Sequence, residues 1–210
     1  MHNNYPEEFY EDLVVENYEN LTENELELFD VVEHEKDYEE IVRILNKGCI
    51  NLNKKNEDGM TPLHIAVKKD MVDIVELFLE KGVNPNIVNN DSVSPLETAF
   101  LEICLDCADL LINYYYTNIN YRDSIGFSAL TLAITSKCID IIALLLQKGA
   151  CIEDEEFKAV NEIEDEDIKN EIIMLLHEEI ARRTEIEMKD LNESTKDLIP
   201  QSKGGLTLFV

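Results

Sequence analysis

No stretch of this 210-residue chain holds about 18 consecutive apolar residues, so no transmembrane helix is expected. The opening Met1-His2-Asn3-Asn4-Tyr5-Pro6-Glu7-Glu8 lacks the basic start and apolar core of a Sec-type leader, so none is expected there. Catalytic signatures are missing too: there is no G-x-G-x-x-G, no Walker loop and no H-E-x-x-H. The acidic clusters at 153–156 and 164–167 lack the Asp/Asn spacing and central Gly of a calcium loop. Five cysteines (Cys49, Cys104, Cys107, Cys138, Cys151) are odd in number and have no disulfide-framework spacing. Cys104-x-x-Cys107 has a metal-like spacing, but no second pair or nearby His completes a four-ligand set. Buried or half-buried structural thiols in a reducing compartment are the expectation. None of the histidines (His2, His34, His64, His177) pairs with a cysteine as base with nucleophile. The chain does not read as an enzyme, and no catalytic residue, cofactor or metal ion is expected.

Basic residues are scarce: 18 Lys and Arg face 45 Asp and Glu, a net charge of −27. The imbalance is uneven. Residues 1–40 carry −14, residues 41–152 carry −3, residues 153–190 carry −10, and the last twenty balance. Such a field repels nucleic acid and anionic membrane and attracts basic proteins. Acidic ends could equally serve only to keep the protein soluble.

What is present is a period. Asp58-Gly59-Met60-Thr61-Pro62-Leu63-His64-Ile65-Ala66-Val67 recurs, degraded, at 91–100 (DSVSPLETAF) and 125–134 (IGFSALTLAI). Pro62 to Pro95 is 33 residues and Pro95 to Ala129 is 34, the spacing of a repeat array. Thr61, Ser94 and Ser128 stand as N-caps, with Pro62 and Pro95 at the first helical position. A second helix follows in each unit, closed by Gly82 or Gly149 in the left-handed conformation. Tyr115 takes that slot in the middle unit, so a different closure is expected there.

With T-P-L-H-x-A at 61–66, the chain resembles the ankyrin repeat family. The resemblance implies an all-α solenoid of helix-turn-helix units with finger loops. Residues 22–53 read as an N-terminal cap, with a capping box at Thr22 and Glu25 and one helix face at Leu26, Leu28, Phe29 and Val32. A second helix starts at Asp37 and ends at Lys47-Gly48. Repeats follow at 54–86, 87–120 and 121–152, then a C-terminal cap at 153–185 with helices near 155–163 and 166–183. Together 22–185 form the repeat domain. Residues 1–21 are either an acidic-aromatic arm or a short docked helix, and residues 186–210 read as a flexible tail.

The resemblance also implies that His64 is a structural hydrogen-bonding residue. It further implies that the finger loops and the exposed side of each first helix share a concave protein-binding surface. Matched by position, the fingertips are Asn56, Glu57, Asp58 and Met60; Asn89, Asn90, Asp91 and Val93; and Arg122, Asp123, Ser124 and Phe127. The helix positions are Ile65, Lys68 and Lys69; Thr98, Leu101 and Glu102; and Leu132, Thr135 and Ser136. Tyr114, Tyr116 and Tyr121 are further candidates, because Tyr is enriched at interface hot spots. Met60, Val93 and Phe127 could instead tuck onto the next finger, and the tyrosines could pack between repeats. The functional expectation is a non-catalytic module that binds another protein, monomeric when free. An acidic inhibitor of a basic partner, of the immunity type, is one form. A secreted effector that binds a host protein, or the targeting arm of an enzyme complex, are alternatives. The end Leu208-Phe209-Val210 could add as a strand to a carboxylate-capturing domain.

Overall fold

The computed structural model describes residues 21–35, 37–48 and 50–196. Ten α-helices lie among them: α1 (Glu23–Asp30), α2 (Tyr38–Leu45), α3 (Pro62–Lys68), α4 (Val72–Glu80), α5 (Pro95–Leu101), α6 (Leu105–Asn113), α7 (Ala129–Thr135), α8 (Ile139–Gln147), α9 (Asp154–Asn161) and α10 (Glu166–Lys196). A π-helical turn, Val31–Glu35, continues α1. The N-terminal arm and the Leu208-Phe209-Val210 end lie outside the described residues.

The helices fall into two layers. The first helices α3, α5, α7 and α9 stack in one row, and α4, α6, α8 and α10 in another. Each unit therefore buries its apolar faces against its neighbours rather than in a separate core. Leu63 and Ala66 on α3, Ile74 and Phe78 on α4, Ala99 on α5 and Leu111 on α6 are all buried along this seam. Alanine at 66, 99 and 133 lets consecutive first helices approach closely.

The caps form as the side chains dictate. Thr22, Thr61, Ser94 and Ser128 each accept a hydrogen bond from the third helical N–H, while the side chain at that third position accepts from the cap's own N–H. Asp37 caps α2 through Glu39 and Glu40 N–H groups. Gly48, Gly82 and Gly149 adopt positive φ after α2, α4 and α8. Tyr115 does not: Tyr114 leaves α6 extended, at φ −75° and ψ 123°, and its N–H still closes on Leu110 and Leu111.

Three expectations change. Leu26 faces solvent while Val31 is buried: Glu25, Leu28, Phe29 and Val32, spaced i, i+3, i+4 and i+7, form the buried face and leave Leu26 off it. Ile65 and Thr98, expected on the open side of their helices, are buried. Ile65 is on α3, which packs against the π-turn, and Thr98 bonds back to the Ser94 carbonyl at 2.9 Å. Finally, α10 runs to Lys196 through residues expected to be tail. Nothing from 186 to 196 breaks a helix, and Lys189 pairs with Glu185 one turn earlier. Cys104 and Cys107 are buried as expected, Cys138 is half-buried and Cys151 is exposed; Cys49 lies outside the described residues.

Candidate functional site

Each finger is built by one side chain. Asn56 Oδ1 accepts from the N–H groups of Asp58 and Met60, at 3.1 and 2.9 Å. Asn89 does the same for Asp91 and Val93, and Asp123 for Ile125 and Phe127. A short polar side chain that mimics a backbone turn in this way fixes the loop tip. The residue at the bend takes positive φ: Gly59, Ser92 and Gly126. Neighbouring fingers are then zipped together. Asn90 donates from Nδ2 to the Glu57 carbonyl at 3.0 Å, and Tyr121 donates from its hydroxyl to the Ser92 carbonyl at 2.8 Å.

A second ladder runs beneath the fingers. Asn53 Oδ1 accepts from Asn84 N–H, Asn86 from Asn118 N–H, and Asn120 from Cys151 N–H, at 2.7 to 2.8 Å. The N-terminal rung is a carboxylate: Glu25 Oε1 accepts from Asn51 N–H at 2.9 Å.

His64 sits at the join of two units and is fully buried. Its Nδ1 lies 2.8 Å from the Thr61 hydroxyl, and its Nε2 lies 3.2 Å from the Val93 carbonyl. A carbonyl only accepts, so Nε2 carries the proton. Burial pushes the imidazole pKa down to about 4, against the Val93 bond that raises it. Glu97, in the same slot one unit on, closes its own capping box through Oε2, but the buried Oε1 has no partner. Burial pushes the Glu97 carboxyl up to about 6, with Asp123 adding in the same sense.

At the third join a longer reach replaces both. Glu156, fully buried on α9, accepts from the Ser128 and Thr131 hydroxyls at 2.8 Å each. Arg122 donates to both its oxygens at 3.2 Å and to the Gly126 carbonyl at 2.9 Å. Burial alone would raise this carboxyl's pKa, but these donors outweigh it and hold the value below the usual range.

The candidate contact residues therefore divide. Asn89 and Asp123 fold their own loops, Asn90 and Tyr121 tie fingers together, and Arg122 clamps the closing helices. Tyr114 is half-buried and donates to the Leu79 carbonyl at 3.1 Å. Met60, Val93 and Phe127 are half-buried, and Lys69 is partly covered. Lys68, Leu101, Tyr116 and Ser136 remain exposed. The apolar surface the structure adds was not among the candidates: Ile103, Leu105, Tyr115 and Ile125 are all exposed. Aligning Ile103 with Asp70 and Lys137 would have singled it out, since both counterparts are charged.

A family model described as ankyrin repeats (3 copies) matches residues 28–123. Those residues are ankyrin repeats. No curated relative matches the chain. The match stops short of α7, yet α7 and α8 continue the ankyrin geometry: the same N-cap box, the same finger bonds and the same left-handed turn at Lys137. Ankyrin repeats over these residues indicate a protein–protein interaction module. No helix among the described residues is long and apolar enough to cross a membrane.

Proposed function

We propose that the ankyrin array is a non-catalytic binder of a basic protein, monomeric when free, and that it acts as an immunity-type inhibitor in a cytoplasmic setting. The observation that carries this is the partition of charge. Residues 1–40 and 153–190 hold −14 and −10, whereas the repeats between them hold −3. A near-neutral binding face between acidic ends lets long-range attraction speed the encounter while local contacts set specificity. The same face would suit an effector that engages a basic host protein, and the two readings share one test.

The partner is captured on the immobilised protein and identified by mass spectrometry, and its association rate is then followed against salt. The expected partner is basic, with a rate that falls by about tenfold or more between about 10 and about 150 mM salt. An acidic partner, or a rate indifferent to salt, rejects the proposal.

A further inference from the structure

The turns between paired helices line up on the side of the array away from the fingers. Each first helix starts at its finger and ends at this turn, so seven residues, about 10 Å of helix, separate the two edges. The three turns share one bonding pattern. Asp70, Ile103 and Lys137 donate back to Val67, Phe100 and Ile134, and the next residue's N–H returns to Ala66, Ala99 and Ala133. That pattern forces the turn residue left-handed, with φ of 55°, 62° and 57°.

Aspartate tolerates this conformation. A β-branched isoleucine is a genuine outlier in it. Ile103 is also 74% exposed, so no packing in the isolated chain compensates for the strain. It is not alone: Leu101 is 59% and Leu105 37% exposed, one on each side of it in the same turn. Strain held at an exposed apolar residue points to a role outside the fold's own stability.

The charges around the patch say what fits it. Glu102 and Asp106 are exposed beside it, and the Asp70 carboxylate, 3.7 Å from Cys107 Sγ, stands at the start of α6 next to the strained turn. Lys69 and Lys137 lie further along the ridge on the neighbouring units. We infer that the ridge Leu101–Ile103–Leu105 is a second docking surface, separate from the fingers, for a protein segment whose apolar side chains are bracketed by Lys or Arg. The inference rests on the basic-partner proposal and assigns that partner a contact edge.

The probe is a short synthetic amphipathic helix with leucines on one face flanked by lysines, compared with the same peptide carrying glutamates in place of lysine. Binding to the full chain is measured by calorimetry, beside Ile103→Asn and, as an exposed apolar control on α10, Met174→Gln. The lysine peptide is expected to bind and the glutamate peptide not. Ile103→Asn is expected to weaken binding by about tenfold or more, while Tm holds or rises by about 2–4 °C as strain is relieved. Met174→Gln should leave binding unchanged. Binding that is salt-sensitive but indifferent to Ile103→Asn overturns the ridge and leaves the basic-partner proposal standing. Equal losses in both variants, or a fall in Tm for Ile103→Asn, also overturn the ridge. A wild-type chain that ignores the lysine peptide also overturns the ridge, while the basic-partner proposal is decided by the captured partner's charge and the salt dependence of its rate.

Discussion

His64 Nε2 donates to the carbonyl of Val93, 3.2 Å away and one unit further along the array, while Glu97, in the equivalent place, leaves Oε1 buried with nothing to bond. The same motif position is thus a strut at one join and a half-satisfied carboxyl at the next.

The two residues should pull the pH profile of stability in opposite directions. His64 has a folded pKa near 4 against an ordinary 6.5, so the unfolded chain binds the proton more readily. Its contribution is complete above pH 6.5 and is lost as pH falls toward 4. Glu97 has a folded pKa near 6 against an ordinary 4.5, so here the folded chain binds the proton more readily. Its penalty is absent below pH 4.5 and grows as pH rises through 6. Glu97→Gln is expected to raise stability by about 1–2 kcal/mol near neutral pH and not in acid, read by urea denaturation across the range. Lower stability of Glu97→Gln at neutral pH would contradict the buried-charge account.

Glycine should matter unequally at two positions of matching backbone. Gly59 and Gly82 have φ of +75° and +77°. A Cβ at Gly82 meets nothing within 4 Å, whereas at Gly59 it would stand 2.3 Å from Asn90 Oδ1 and 2.6 Å from the Asn90 backbone nitrogen. Gly82→Ala is expected to cost about 1 kcal/mol from conformation alone. Gly59→Ala should cost about 2–4 kcal/mol, because it also pushes apart two fingers. Equal losses in thermal unfolding would mean the finger–finger approach is not tight.

Arg122 is expected to act on stability rather than on binding. Removing it leaves Glu156, a fully buried carboxylate, with neutral donors but no counter-charge, so Arg122→Ala should cost about 2–4 kcal/mol. A double replacement, Arg122→Met with Glu156→Leu, should recover most of that. Glu156 has a depressed pKa, so the clamp is present above pH 4.5 and is lost as pH falls below it. If Arg122→Ala leaves the unfolding midpoint in place but weakens partner binding, the fingertip role expected from the sequence is restored.

The architecture was legible because its rules are local. A hydroxyl N-cap, proline at the first helical turn and glycine at the close each act within one helix turn, and Thr61-Pro62 and Lys81-Gly82 announce them. The displaced closure at Tyr115 followed from the same logic. What stayed hidden depends on partners about one repeat away. Nothing near Arg122 in sequence says that Glu156 will meet it, and Tyr121 looks like a contact residue until Ser92 occupies its hydroxyl. Buried Ile65 was misjudged because α3 packs against the turn Val31–Glu35, a contact set by a segment about thirty residues earlier in the chain. The length of α10 was missed because its continuation carries few apolar residues and gains helix support from pairs such as Glu185 and Lys189.

The asparagine ladder has a direction and two stops. Each rung passes an amide oxygen forward to the next unit's N–H. The first N–H is already taken by Glu25, and the last unit offers Glu153 two residues after Cys151, where earlier units have Asn two after the donating N–H. Carboxylates stand at both ends as end groups do on a polymer: Glu25 supplies the first oxygen, and Glu153 turns back to Arg122 at 3.3 Å. Growth is open only from within: a duplicated 54–86 segment would bring one incoming N–H and one outgoing carboxamide and extend the chain of rungs unbroken. A unit appended beyond α9 would find no carboxamide waiting for it.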